Sequence, residues 1–230
     1  MSNTIKQVCS IGILSLMMLG PAHGDEAVIK PGEVWNDTSG EAINAHGGGM
    51  LVHDGACYWF GEIKNRGASA RDGISCYSST NLYDWKNEGV ALSVERDRDS
   101  DIEPGCIMER PKVIYNEKTK KFVMWFHLEL KGRGYEAART GVAVSDKVTG
   151  PYTYLRSYRP NAGTWPVNVP KKYREKGGDE FMRFLRRDLE GGQMSRDMTL
   201  FVDDDGTAYH IHSAEENYTL NISKLSDDYT

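Results

Sequence analysis

The residues of this chain whose types and spacing could do chemistry are acids at the ends of strand-like runs. Residues 44–62 read as a glycine-rich lead-in, a first strand, a His53-Asp54-Gly55 turn, an aromatic second strand and then the carboxylate of Glu62. The pattern returns twice downstream in altered form, so acids recur at matching points of repeated β-units. Acids gathered around one centre suit the cleavage of glycosidic bonds. One carboxyl must be protonated at the leaving oxygen, and in the inverting case a base stands about 6.5–9.5 Å away to activate water.

Other constellations carry less. His46-Gly47-Gly48-Gly49 has the form of an oxyanion-hole motif, but no Gly-x-Ser-x-Gly elbow accompanies it. Asp97-x-Asp99-x-Asp101 starts like a calcium loop, yet Ile102 and Met108 stand where Gly and Glu are required. Asp203-Asp204-Asp205-Gly206 is most simply a hairpin turn. His210 and His212 share one strand face with no evident third ligand. No metal and no cofactor are therefore expected.

Three units must position the acids. The first has strands at 50–52, 57–60 and 74–77 and closes through 81–85 and 88–92. The second has strands at 111–115, 121–126 and 141–145, with a fourth after Tyr152. The third has strands at 198–202, 207–211 and 221–225. Turns fall near Gly55, Lys118 and Gly206. Units of several strands each are the mark of a β-propeller. Residues 161–193 break the rhythm and read as a charged insertion with one short helix. Three units are too few to close a ring, so the chain is expected to be the N-terminal part of a longer product.

Composition agrees with this reading. The 230 residues are 39% hydrophobic and 10% aromatic, enough for one substantial core. The net charge of -5 leaves no basic excess to hold a nucleic-acid backbone. Lys6, a mostly apolar stretch over 8–20 and the ending Pro21-Ala22-His23-Gly24 predict a signal peptide over 1–24. The protein is then secreted or periplasmic, without membrane contact after cleavage, and monomeric. Cys9 would leave with the signal, and Cys57, Cys76 and Cys106 read as buried free thiols rather than as a disulfide framework.

Four stretches together resemble glycoside hydrolase family 43, in the branch of exo-acting 1,3-β-galactosidases. They are Ile43-Asn-Ala-His-Gly-Gly-Gly49, Tyr58-Trp-Phe-Gly-Glu62, Met108-Glu-Arg-Pro-Lys-Val-Ile-Tyr115 with Val-Met-Trp-Phe-His127, and Ser195-Arg-Asp-Met-Thr199. The resemblance implies a five-bladed β-propeller, of which about three blades lie in this chain, with residues 25–230 forming the N-terminal part of that domain. It also implies inverting hydrolysis of galactan- or arabinogalactan-type carbohydrate. An α-L-arabinofuranosidase, a β-galactofuranosidase or a non-catalytic carbohydrate-binding propeller would share these features.

Site roles follow from the same resemblance. Glu109 matches the carboxylate that modulates the acid's pKa; without the resemblance it would read as a surface acid paired with Arg110. Glu62, Asp197 and Tyr135 match sugar-binding positions. His46 is open between a substrate contact and a structural role against the glycine run. The usual first-blade Asp is replaced by Ala45-His46-Gly47. The general acid is expected in a Glu-Ala-Pro-like strand beyond Thr230, and Glu215 and Glu216 do not match its position.

Overall fold

A computed structural model describes residues 28–64, 73–174 and 182–230. The strands are β1 (His46–His53), β2 (Ala56–Glu62), β3 (Gly73–Ser79), β4 (Lys86–Ser93), β5 (Ile107–Asn116), β6 (Lys121–Glu129), β7 (Arg139–Ser145), β8 (Thr153–Tyr158), β9 (Met198–Val202), β10 (Ala208–Ala214) and β11 (Thr219–Lys224). They form three sheets, in the orders β1-β2-β3-β4, β5-β6-β7-β8 and β11-β10-β9. Sequence neighbours pair antiparallel throughout, as short hairpin connections require. β5 packs against β1, β2 and β9, so the first strands of successive sheets stand side by side. These are blades of a β-propeller, and this chain holds three of them.

The middle blade shows why its sequence looks as it does. β6 is buried along nearly its whole length. Phe122, Met124, Phe126 and Leu128 pack with Phe60, Ile74 and Met108 toward the first sheet. Val123 and Trp125 pack with Met198 and Ala208 toward the third. A strand covered on both faces needs a continuous apolar run rather than alternation, and Phe-Val-Met-Trp-Phe supplies one. The indole of Trp125 donates to the Tyr229 carbonyl at 2.8 Å, tying residues after β11 to the same core. β10 alternates instead: Ala208, His210, His212 and Ala214 are buried, and the residues between them are half-buried. A separate cluster of Trp35, Trp59 and Trp85 secures the first sheet, with ring centroids 5.4 to 6.4 Å apart.

Several strands run further than the sequence predicts. β1 begins at His46, because Gly47, Gly48 and Gly49 are themselves strand residues. β5 begins at Ile107 and continues through Pro111 by way of a bulge. Residues 81–85, expected to belong to a closing run, form a turn instead. There Ser79 Oγ accepts the Leu82 N–H, and Asn81 Oδ1 accepts those of Tyr83 and Asp84. Among its described residues the insertion carries a 3-10 turn at Lys171–Tyr173 and a helix, α1 (Arg183–Asp188).

Cys57, Cys76 and Cys106 are free and buried. Burial pushes the Cys76 and Cys106 thiols up to about 12. The described residues from Gly32 to Thr230 form one compact unit; the predicted signal peptide and Cys9 lie outside the described residues. Among those described, no helix is long and apolar enough to cross a membrane.

Gly61 lets β2 pass the segment before β1. A Cβ there would lie 2.1 Å from the Ala45 carbonyl carbon, and backbone cannot yield as a side chain can. Gly61→Ala is expected to cost about 1–3 kcal/mol in denaturant unfolding, the usual scale of core overpacking.

Candidate active site

Two bulges set the site. In β1, His46 pairs with Glu62 and Gly49 with Phe60, so Gly47 and Gly48 together face Gly61. In β5, Glu109 pairs with His127 and Lys112 with Trp125, so Arg110 and Pro111 together face Phe126. A bulge of this kind kinks the strand and re-aims its side chains. Pro111 has no N–H for the ladder, and Arg110 adopts the left-handed region at φ 56°.

The three glycines clear space for the neighbouring strand. A Cβ on Gly47 would lie 2.6 Å from an Arg110 guanidinium nitrogen. One on Gly48 would lie 2.4 Å from the Phe60 carbonyl, and one on Gly49 2.5 Å from Lys112 Cδ. The run therefore has a steric reason independent of any oxyanion hole.

Five expected residues, three from the bulged regions and Tyr135 and Asp197 from outside the strands, pair around Arg110. His46 Nδ1 donates to Glu62 Oε1 in a short hydrogen bond. Glu62 is fully buried, and its other oxygen has no partner among the described residues. Tyr135 Oη donates to Glu109 Oε1 at 2.7 Å. Arg110 Nε donates to Asp197 at 2.5 Å, bridging the second blade to the third. Asp197 above all, then Glu109 and Glu62, raise the affinity of the Arg110 guanidinium for its proton. Acids from three blades thus share one cation. Arg110 partners Asp197 rather than shielding Glu109 at the surface.

Behind Glu109 lies a relay the sequence reading did not assign. His127 Nδ1 stands 3.4 Å from Glu109, and His127 Nε2 donates to Glu129 at 2.9 Å. Glu129 also accepts the Ala138 N–H at 3.0 Å. A carboxyl group at each ring nitrogen favours the doubly protonated, cationic imidazole. Burial works against that charge, but the hydrogen bonds to Glu109 and Glu129 outweigh it and raise the His127 pKa. Burial likewise works against ionised Glu109, but hydrogen bonds from His127 and Tyr135, with the charges of His127 and Arg110, hold it down at about 2. The signal for His127 was its register: it follows the aromatic run of β6, directly across from Glu109.

The third blade offers another carboxyl. Ser213 N–H donates to the Asp197 carbonyl at 2.9 Å, so Ser213 stands across from Asp197. Glu215 follows two residues later, as Glu129 follows His127 in the second blade. It is 1% exposed, and neither carboxylate oxygen has a hydrogen-bond partner among the described residues. Burial, then the charge of Asp188, pushes it up to about 7, against weaker opposing pulls from Asn221 and Arg187. Glu215, Glu216 and Asn217 all hold positive φ, at 46°, 57° and 68°. Next to them a hollow of about 350 Å³ is lined by Tyr135, Arg187, Arg196 and Glu216. Arg196 donates both to the Tyr135 carbonyl at 3.0 Å and to Glu216 at 3.2 Å, so the hollow borders the Glu109 cluster. On sequence pattern alone Glu215 was set aside; its burial and its place in the blade bring it back.

Chains of similar structure confirm the family. No family profile and no curated protein matches the sequence. A solved β-1,3-galactosidase of glycoside hydrolase family 43, bound to galactodeoxynojirimycin, is 56% identical over 87% of this chain, with a TM-score of 0.83. The chain belongs to glycoside hydrolase family 43. An exo-β-1,3-galactanase from Clostridium thermocellum is 39% identical over 89% of the chain, with a TM-score of 0.71. One from Phanerochaete chrysosporium, solved with galactose, is 35% identical over 87%, with a TM-score of 0.69. The chain spans 63%, 39% and 40% of those three family 43 proteins.

Two other candidates are structural. Asp101, the third acid of the calcium-like run, accepts Tyr154 Oη at 3.0 Å, Ser157 Oγ at 2.7 Å and Arg139 at 3.3 Å. His210 and His212 stack with ring centroids 4.4 Å apart, and burial lowers both pKa values. Among the described residues no group of three or more His, Cys, Asp or Glu could hold a metal ion.

Removing the Tyr135 hydroxyl tests what holds Glu109 ionised. Tyr135→Phe is expected to raise the Glu109 pKa while leaving it below the ordinary glutamate value, because His127 and Arg110 persist. A carboxyl ¹³C titration reads this directly. The sign for stability is fixed as well: a depressed carboxylate pKa stabilises the fold above its unfolded value, and that contribution is lost as pH falls toward about 2.

Proposed function

We propose that this family 43 protein hydrolyses O-glycosidic bonds of terminal β-1,3-linked galactose, by an inverting mechanism that uses Glu109 and Glu215. One observation carries the reading. Two carboxyls on neighbouring blades are pushed in opposite directions, Glu109 to about 2 and Glu215 to about 7. Such divergence separates a group kept charged from a group kept protonated at neutral pH.

Glu215 then gives its proton to the glycosidic oxygen as the bond to the anomeric carbon breaks. Its neutral form is well populated at pH 7 because burial penalises the carboxylate. Glu109 stays ionised and supplies the fixed negative charge that a modulator needs. Asp188 is the acid whose charge acts on Glu215 in this structure. In this reading Asp197, Tyr135 and His46 meet sugar hydroxyls, with Glu62 orienting the half-exposed His46 ring. The galactose specificity is supported by the relatives, whose structures carry a galactose-type inhibitor or galactose. Polymeric substrate and the residue pattern over 1–24 together favour a secreted or periplasmic protein.

The leaving group separates the two carboxyls. Glu215→Gln is expected to slow hydrolysis of β-1,3-galactobiose by on the order of 10²–10³, the scale of general acid catalysis. An aryl β-galactoside with an acidic phenol needs little protonation and should lose far less. Glu109→Gln should slow both substrates, and ¹H NMR should show α-galactose as the first product. Equal losses on both substrates for Glu215→Gln would remove it as the acid. Galactose binding without turnover in the wild type would favour the carbohydrate-binding propeller.

A further inference from the structure

Lys112 follows the Arg110-Pro111 bulge and runs into the channel between β1, β5 and β9, a space of about 450 Å³. Its Nζ donates to three backbone carbonyls, of Gly48 at 3.2 Å, Pro111 at 3.3 Å and Arg110 at 3.4 Å. Two of these belong to the bulge of β5 and the third to the bulge of β1. Gly49 makes room for the same side chain. An ammonium can satisfy three acceptors at one point, and each such bond is charge-assisted. Arginine's planar fork cannot converge its donors in this way.

We propose that Lys112 is a positioning residue whose ammonium staples the β1 bulge to the β5 bulge, fixing the spacing between the His46–Glu62 pair and the Glu109–Arg110 pair. It makes no hydrogen bond to any of the acids and acts on them through the backbone. The inference rests on the reading of those acids as a sugar site.

Protonation gives the staple a signature. Burial, then the charge of Arg110, pushes the Lys112 pKa down to about 8, against a smaller pull from Asp197. His53 on β1, with Tyr115 and Glu117 on and after β5, are the other ionisable groups lining the channel; β9 contributes Thr199, Leu200, Phe201 and Val202, none of which titrates. Glu62 lies across from His46 on β2. A lysine held below its ordinary value costs the fold stability below about pH 8, and that cost fades as pH rises from there toward about 10.4. The staple itself exists below about pH 8 and is lost above it. Rising pH therefore loosens the site while this group ceases to burden the fold. A lysine with only a structural role gives no such split.

Galactose, which does not titrate, is the probe. Calorimetric affinity of the wild-type protein is expected to fall about ten-fold between about pH 7 and pH 9.5, a modest loss on the scale that misplacement causes, without a parallel fall in Tm. Lys112→Met should be weaker by about the same factor at neutral pH and should lack that limb. Any limb owed to Glu215 would survive the substitution. A second readout needs no sugar: the His127 ring and Arg110 Nε ¹⁵N signals should shift in Lys112→Met and titrate near pH 8 in the wild type. Wild-type protein that binds no galactose would sink the sugar-site reading, while the ¹⁵N signals still decide the role of Lys112. Signals unmoved by the substitution, or an alkaline limb in Lys112→Met as deep as that of the wild type, overturn the proposal. The wild-type titrations alone decide the matter if the variant fails to fold.

Discussion

The break in β5 at Arg110-Pro111 is the constraint on which the site depends. A regular strand alternates its side chains between two faces, so adjacent residues cannot both serve one centre. The bulge lifts that limit. Glu109 turns toward His127 and Tyr135, and its neighbour Arg110 reaches Asp197 across the blade boundary. The left-handed φ at Arg110, a non-glycine, marks where the chain accepts backbone strain for this purpose. β1 makes the corresponding break with glycines, which cost less in that conformation and leave room for the Arg110 and Lys112 side chains.

Around that break the charges are arranged to cancel. The first two blades each set a histidine across from a glutamate at the head of the inner strand, but in opposite order. In blade one the histidine is on the inner strand; in blade two the glutamate is. The exchange leaves Glu62 fully buried and Glu109 facing Tyr135. A buried carboxylate without a counter-charge would cost several kcal/mol, and removing one partner of such a pair is what exposes that cost. The alternation Glu109–His127–Glu129, closed by the Ala138 N–H, avoids it. It also makes Glu109 a poor acid donor, since every neighbour favours its charged form.

The blade repeat and the strand order were legible in the sequence. Turn residues, aromatic strands and short quoted motifs carry that information locally. The strand ends were less legible, because Gly47 to Gly49 read as a lead-in when taken alone. Only packing against the next inner strand makes them strand residues. Arg110, His127 and Lys112 were hidden for a related reason. Their roles exist across strand pairs or across blades, at sequence separations from 18 to 87 residues. Glu215 was passed over because its property is burial, and pattern does not report burial at a turn.

Glu109 and Glu215 show how one fold can hold two identical side chains in opposite states. Glu109 sits in a ladder, across from a histidine, where each added hydrogen bond favours the anion. Glu215 sits just past the end of its ladder, in a left-handed turn that carries it under Arg187 and Asp188 without giving its oxygens a donor. The pairing pattern that charges one carboxyl stops two residues short of the other. A difference in register, rather than in residue type, thus sets which acid could give up a proton near neutrality. It requires the third blade to keep its register with the second, and the Arg110–Asp197 bridge together with Trp125 and its bond to Tyr229 supplies that constraint.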